Sequence, residues 1–495
     1  MNPRRFHRLL RWLLALALIG CAAFSQQRLN RARSDLGLTR IEPLENAPPV
    51  LAFTTVALGG FRGLIANALW IRAMDMQDAG KYFEMAQLAE WITKLEPHIP
   101  AIWIVQAWNM AYNISIKFPS PRDRWFWVSE GIRLLRDEGL RYNPKETLIY
   151  RELAWFFQHK MGQNLDDAHL YFKQAWATEM NRLLGGPAPD FAALINPATP
   201  EAIETSRQMR EAYRLDPAVM QEVDRKYGPL DWRLPEAHAI YWAWLGLARA
   251  KPEELITLRR VIYQSLQLAF HRGRLLESAT GRLDFGPNIE MVDNANRAYE
   301  DMLEQDPEFR DNIQNAHRNF LRDAVYFLYA HNRISEAARW FQYVGQKYPN
   351  RQLLDRTNSL PGQITLEDYA LDRLAEDAGE TSRDRIRSLL EGLVLSSYLD
   401  FAAGFDDRAQ NSQLLARKVF SRYQQQTASQ EQRVGMVSLE EISRDVRSQL
   451  LGTNSVLEAE MQARLRTRLN LPAPSAAPAA TNNPAAPPIA PAPPR

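Results

Sequence analysis

Two stretches of the chain, GKYFEMAQLAEWITKLEP from Gly80 to Pro97 and NRISEAARWFQYVGQKYP from Asn332 to Pro349, follow one helical template. Each opens on a turn residue, places small or apolar side chains three and four apart, and closes at a proline, which cannot continue a helix. A helix with one apolar stripe needs a partner to cover it. A period of roughly 34 residues built from helix pairs therefore reads as a stack of hairpins, each burying its stripe against the next. Such a body works through its surface rather than through a catalytic pocket.

The same grammar recurs between these stretches. Tyr150, Leu153, Ala154 and Phe157 fall on one helical face, and Ala168, Phe172 and Ala175 give the returning helix a small-large-small face. Gly162 and Asn164 sit in the intervening turn, with Asp166 and Asp167 where a helix start favours negative charge. This pattern resembles the tetratricopeptide repeat (TPR), whose first helix carries an aromatic, Leu-Gly and Tyr, and whose second carries Ala, Phe, Ala and a closing Pro. Trp242, Leu245 and Gly246 match the first-helix signature, and Ala337, Phe341 and Pro349 match the second. Pro97 to Trp103 and Pro144 to Tyr150 share one proline-to-aromatic interval. Gln106 and Arg136 depart from the pattern, and the loop from Lys117 to Arg124 is longer than the repeat prescribes. From Leu58 to Pro349 the chain also looks like envelope-anchored bacterial TPR-like proteins, in LGGFRGLIANALWIRA (Leu58 to Ala73) and AWNMAYNISI (Ala107 to Ile116). That resemblance implies an envelope scaffold and brings no catalytic residue with it.

The expected architecture is an all-α, TPR-like helical-hairpin solenoid with a membrane anchor or signal at one end and a disordered tail at the other. Residues 1–24 form the signal peptide or anchor: Arg4, Arg5, Arg8 and Arg11 precede an apolar run from Trp12 to Phe24. Roughly 13 apolar residues are short for a bilayer, which takes about 20. Cys21 ends Leu18-Ile19-Gly20-Cys21, which resembles a lipoprotein lipobox and makes Cys21 the lipidation candidate. An uncleaved anchor is the alternative. A linker follows over 25–57, a first repeat block over 58–184, an inserted loop and connecting helix over 185–235, a second block over 236–350, and a C-terminal helical region over 351–470. Residues 471–495, almost all Pro and Ala, cannot bury a core.

Lys plus Arg (60) nearly balance Asp plus Glu (58), and the charges are interspersed, so no basic face for nucleic acid is expected. With a single cysteine, stability rests on packing. Of 13 tryptophans, 11 lie between Trp70 and Trp244. In the TPR register the first helices turn Asn67, Trp70 and Met74, then Ile104, Trp108 and Tyr112, then Arg151, Trp155 and His159, toward a shared groove. An aromatic stripe of this kind suits a peptide or glycan; the competing reading is that the tryptophans fill gaps between helices.

Asp166 and His169, three apart with His159 upstream, invite a metal-assisted envelope enzyme as a third reading. No HExxH helix supports it, and no metal or cofactor is expected. His238 lacks a recognisable nucleophile and reads as structural. The leading expectation is a non-enzymatic, membrane-tethered scaffold outside the cytoplasm, periplasmic in a bacterial envelope, whose partner is another envelope protein.

Overall fold

The computed structural model describes residues 18, 20–22, 24–29, 31–32, 62–277, 283–354, 359–380, 383–427, 437–452, 455 and 457–472. Most of the expected anchor and linker, and nearly all of the Pro/Ala tail, lie outside these residues. Cys21 is exposed. Among the described residues no helix is long and apolar enough to cross a membrane.

The chain divides into two compact units, Met1–Ile102 and Trp103–Arg495. In the first, helices α1 (Arg62–Asp78) and α2 (Tyr82–Leu95) pack as an antiparallel hairpin. Gly80 makes the reversal. At φ 71° it lets the Lys81 N–H reach the Met76 carbonyl (2.8 Å) and its own N–H reach that of Gln77 (3.0 Å), satisfying carbonyls that the helix end would leave open.

The second unit repeats this device where the template predicts it. Asn332 takes φ 61°, the Arg333 N–H reaches the Leu328 carbonyl (2.8 Å), and the Asn332 N–H reaches that of Tyr329 (3.0 Å). The closing prolines act alike too. Glu96 (φ −128°), Asn143 (−133°), Asp306 (−125°) and Tyr348 (−131°) each end a helical stretch immediately before a proline. The proline ring clashes with a helical conformation of the residue before it.

The helices of the second unit begin with α3 (Pro100–Trp108), at the junction of the units, followed by α4 (Pro121–Arg133), α5 (Thr147–Trp155) and α6 (His169–Leu184). Where α3 and α4 cross, Gly131 lies so close to α3 that a Cβ there would stand 2.8 Å from the Ala107 carbonyl oxygen. Small residues permit the close approach, as the repeat grammar requires. Three of these helices widen at their ends into turns with i→i+5 bonding, over Asn109–Ile114, Leu134–Gly139 and Phe156–Met161. Tyr112 and His159, equivalent positions of α3 and α5, are 47 residues apart, longer than the roughly 34-residue period of the sequence template.

Beyond α6 come a single turn at Phe191–Ile195 and helices α7 (Pro200–Ala212) and α8 (Pro217–Tyr227). Thr199 and Asp216 cap α7 and α8, each followed by a proline at the first helical position. Then α9 (Pro235–Leu247) packs on α10 (Pro252–Arg272) and on α5. Helix α11 (Val292–Gln305) precedes the hairpin of α12 (Arg310–Ala330) and α13 (Ile334–Lys347). The C-terminal region adds α14 (Leu366–Glu380), α15 (Arg383–Ala403), α16 (Asp406–Thr427), α17 (Leu439–Leu451) and α18 (Ala459–Arg468). Ser438 caps α17 by accepting the Glu441 N–H at 3.2 Å.

One expectation needs correction. The body is mostly, not wholly, helical: β1 (Arg274–Glu277) and β2 (Leu283–Gly286) pair antiparallel, with Arg274 opposite Gly286 and Leu275 opposite Phe285. Four-residue strands are too short to show sustained alternation. In α16, Leu415 and Ala416 are buried while Leu414 is exposed. A single connected core runs from Trp103 to Leu465 through the second unit.

Candidate functional site

The groove residues fall into two sets. In the first unit Asn67 and Met74 are exposed, and Trp70 is half-buried beside the buried Ala66 and Ala73 of α1. In the second unit Trp108, Tyr112, Arg151, Trp155 and His159 come together, with Ile104 half-buried one turn before Trp108.

Each of two ring pairs runs from the end of a helix into its wide turn. Trp108 stacks on Tyr112 with ring centres 4.2 Å apart, and Trp155 stacks on His159 at 4.4 Å. Hydrogen bonds join the two ring pairs: the Trp108 indole N–H donates to Glu152 Oε2 (2.7 Å), and the Tyr112 hydroxyl lies 3.1 Å from His159 Nδ1. Glu152 is buried and pairs with Arg151. Burial first, and then the Glu152 charge, raise the Tyr112 hydroxyl pKa, so the phenol stays protonated. Burial and the neighbouring Lys160 lower that of His159, which favours the neutral ring.

Above this layer lies a cup of about 380 Å³, walled by Trp108, Arg151, Glu152 and Trp155 and closed by Thr257, Arg260, Val261 and Gln264 of α10. Gln264 Oε1 accepts from Gln158 Nε2 at 2.9 Å, fixing α10 against the wide turn of α5. Arg260 packs over the Phe309 ring, its guanidinium carbon 4.7 Å from the ring centre. The wall thus offers two flat indole surfaces, a carboxylate neutralised by Arg151, and the further positive charge of Arg260.

Sequence reasoning missed the contribution of α10. Arg260 and Gln264 lie a hundred residues beyond α5, and within α10 they resemble any polar helical positions. The one local signal was Val261, which belongs to the buried face while its neighbour Arg260 does not.

Asp166 is the centre of a separate buried network. Its carboxylate accepts from Lys160 Nζ (2.7 Å), Arg124 Nη1 (3.0 Å) and the Ala168 N–H (2.9 Å). Burial alone would raise its pKa, but the bonds from Lys160, Ala168 and Arg124 outweigh it and hold the carboxyl below its ordinary range. His169 Nδ1 lies 3.3 Å from Lys173 Nζ. Among the described residues no group of three or more His, Cys, Asp or Glu side chains is placed to hold a metal ion. His238 sits among Phe157, Trp176 and Trp232, with Nε2 2.9 Å from the Trp232 carbonyl oxygen. Burial pushes its pKa down to about 4.

The tryptophans differ in burial. Trp103, Trp127, Trp176, Trp232 and Trp242 are buried in the core, whereas Trp108 and Trp155 keep part of their surface open at the cup. No protein-family model matches the chain, and neither the search of curated proteins nor that of solved structures finds a significant match.

Proposed function

We propose that this chain is a non-enzymatic, TPR-like scaffold, tethered to a membrane by its N-terminus and holding another envelope protein outside the cytoplasm. The observation that carries this reading is the cup between α3, α5 and α10. Its half-open indoles and the Arg260 charge suit a protruding segment of a protein that combines apolar and acidic side chains. The basic-then-apolar N-terminus supports tethering, with Cys21 or the apolar run as its means.

The test is recovery of partners from membranes after crosslinking in intact cells, comparing the unmodified chain with a W108A/W155A variant. One stoichiometric partner that is lost from the variant, while the variant keeps its helical content, is the expected result. Equal recovery with both forms, or no stoichiometric partner with either, contradicts the proposal.

A further inference from the structure

A cavity of about 360 Å³, separate from the cup, lies between α10, β2, α12, α15 and α16, within the size range of small-ligand sites. Its wall is mainly apolar, with Phe285, Tyr326, Phe327, Leu389 and Leu393 among its members. Among the described residues of this wall none carries a permanent charge, in contrast to the arginines and carboxylate of the cup. An ion would leave water there without a charged partner, which is costly, whereas an apolar body gains from the same transfer. Helix α15 brings two rows of residues to the cavity. Leu389 and Leu393 form one, and Ser388, Gly392 and Ser396, each four apart, form the other. Glycine weakens a helix interior, and packing does not call for it here: a Cβ at Gly392 would meet no atom within 4 Å. What the missing side chain leaves is room.

The polar members of the wall have a defined hydrogen-bonding sense. His331 Nδ1 lies 2.8 Å from the Phe327 carbonyl oxygen, which can only accept, so Nδ1 carries the proton. Desolvation by the surrounding protein, aided by the Arg333 and Arg274 charges, lowers the pKa of this ring and keeps it neutral. Nε2 is therefore an acceptor, and no described residue donates to it. The second imidazole, His271, is held with Nε2 3.2 Å from Asp323 Oδ2. Ser412 Oγ accepts from Asn332 Nδ2 at 3.4 Å, and the Ser388 and Ser396 hydroxyls belong to exposed residues of α15. A hydroxyl group both donates and accepts, so it can donate to an imidazole nitrogen and accept from a serine. An apolar wall, a helix position left without a side chain, and a neutral acceptor beside hydroxyls together describe a pocket for an apolar molecule with a hydroxyl end.

We infer that the cavity between α10, α12, α15 and α16 binds a small, uncharged molecule with an apolar body and a hydroxyl group, of the size of an alkylphenol or a naphthol. It is independent of the cup and of any protein held there. The test titrates the full chain with 2-naphthol by calorimetry, in parallel with 2-naphthoate, its charged counterpart. The site predicts saturable binding of 2-naphthol with a dissociation constant on the order of 0.1 mM or tighter, and binding of 2-naphthoate weaker by about tenfold or more. Gly392→Leu, which puts a side chain into the space and favours the helix, should weaken 2-naphthol by about tenfold or more. His331→Phe, which removes the acceptor and keeps a ring, should weaken it by about threefold or more. W108A/W155A should leave it unchanged, so the cup and this site fail separately. Thermal melts accompany each variant, and should Gly392→Leu fold poorly, Gly392→Met carries the comparison. Absence of saturation by 2-naphthol up to about 1 mM, equally tight binding of 2-naphthoate, or binding that neither the Gly392 nor the His331 substitution weakens, overturns the inference.

Discussion

Removing the Asp166 carboxylate should destabilise the second unit more than any surface ion pair would. The side chains of Asp166 and Lys160 are 4% and 5% exposed, and Arg124 is 13% exposed. Asp166→Ala therefore strands a buried ammonium. Loss of one partner from a buried pair costs about 3–5 kcal/mol, against ~0–1 kcal/mol for an exposed pair. Lys160 also lies 5.0 Å from the centre of the Tyr112 ring, so its displacement reaches the layer beneath the cup. Lys160→Met keeps the apolar stem and removes the stranded charge. The double variant should then fall short of the summed single losses by on the order of 1–3 kcal/mol. Denaturant unfolding followed by tryptophan fluorescence gives all three values. Loss of less than about 1 kcal/mol in Asp166→Ala, together with strict additivity in the double variant, refutes the reasoning. The pH dependence has a definite sign. Because the folded-state pKa is depressed, the contribution is complete above the unfolded carboxylate value of about 3.9 and is lost as pH falls through the folded value.

Three further outcomes follow from particular positions. Gly131→Ala should destabilise by about 1–3 kcal/mol through the Ala107 carbonyl, whereas Gly392→Ala, with nothing within 4 Å of the new Cβ, should stabilise α15 by roughly 0.5–1 kcal/mol in the same denaturant unfolding. Asn332→Ala should cost about 1 kcal/mol because φ is positive there, and Asn332→Gly should be close to neutral. His238 and His317, both held by burial near a pKa of about 4, keep their full contribution above the unfolded value of ~6.5 and lose it as pH falls toward 4. Replacing His317 by Asn should flatten the stability profile between these limits.

Much of the local fold was legible because it is set by single residues. Gly80 and Asn332 occupy equivalent left-handed positions, and Pro97, Pro144, Pro307 and Pro349 impose the same stop on the residue before each. The close crossing of Ala107 and Gly131 showed only once the helices were placed. What was not legible depends on distant chain. The wide turns after Trp108 and Trp155 leave no composition signal, yet the stacked pairs Trp108–Tyr112 and Trp155–His159 run into them. Arg260 and Gln264 reach the cup only because α9 folds α10 back beside α5. The β-hairpin escaped because helical and strand preferences are indistinguishable over RLLE and LDFG.

The central claim, that a partner protein is held at the cup, is tested most directly by photocrosslinking in cells from an unnatural benzophenone side chain placed singly at Trp155 or Arg260. Controls carry it at exposed Ile203 or Leu414. One protein captured from both cup positions and from neither control is the predicted result. Capture of the same proteins from all four positions, or none from the cup, contradicts it.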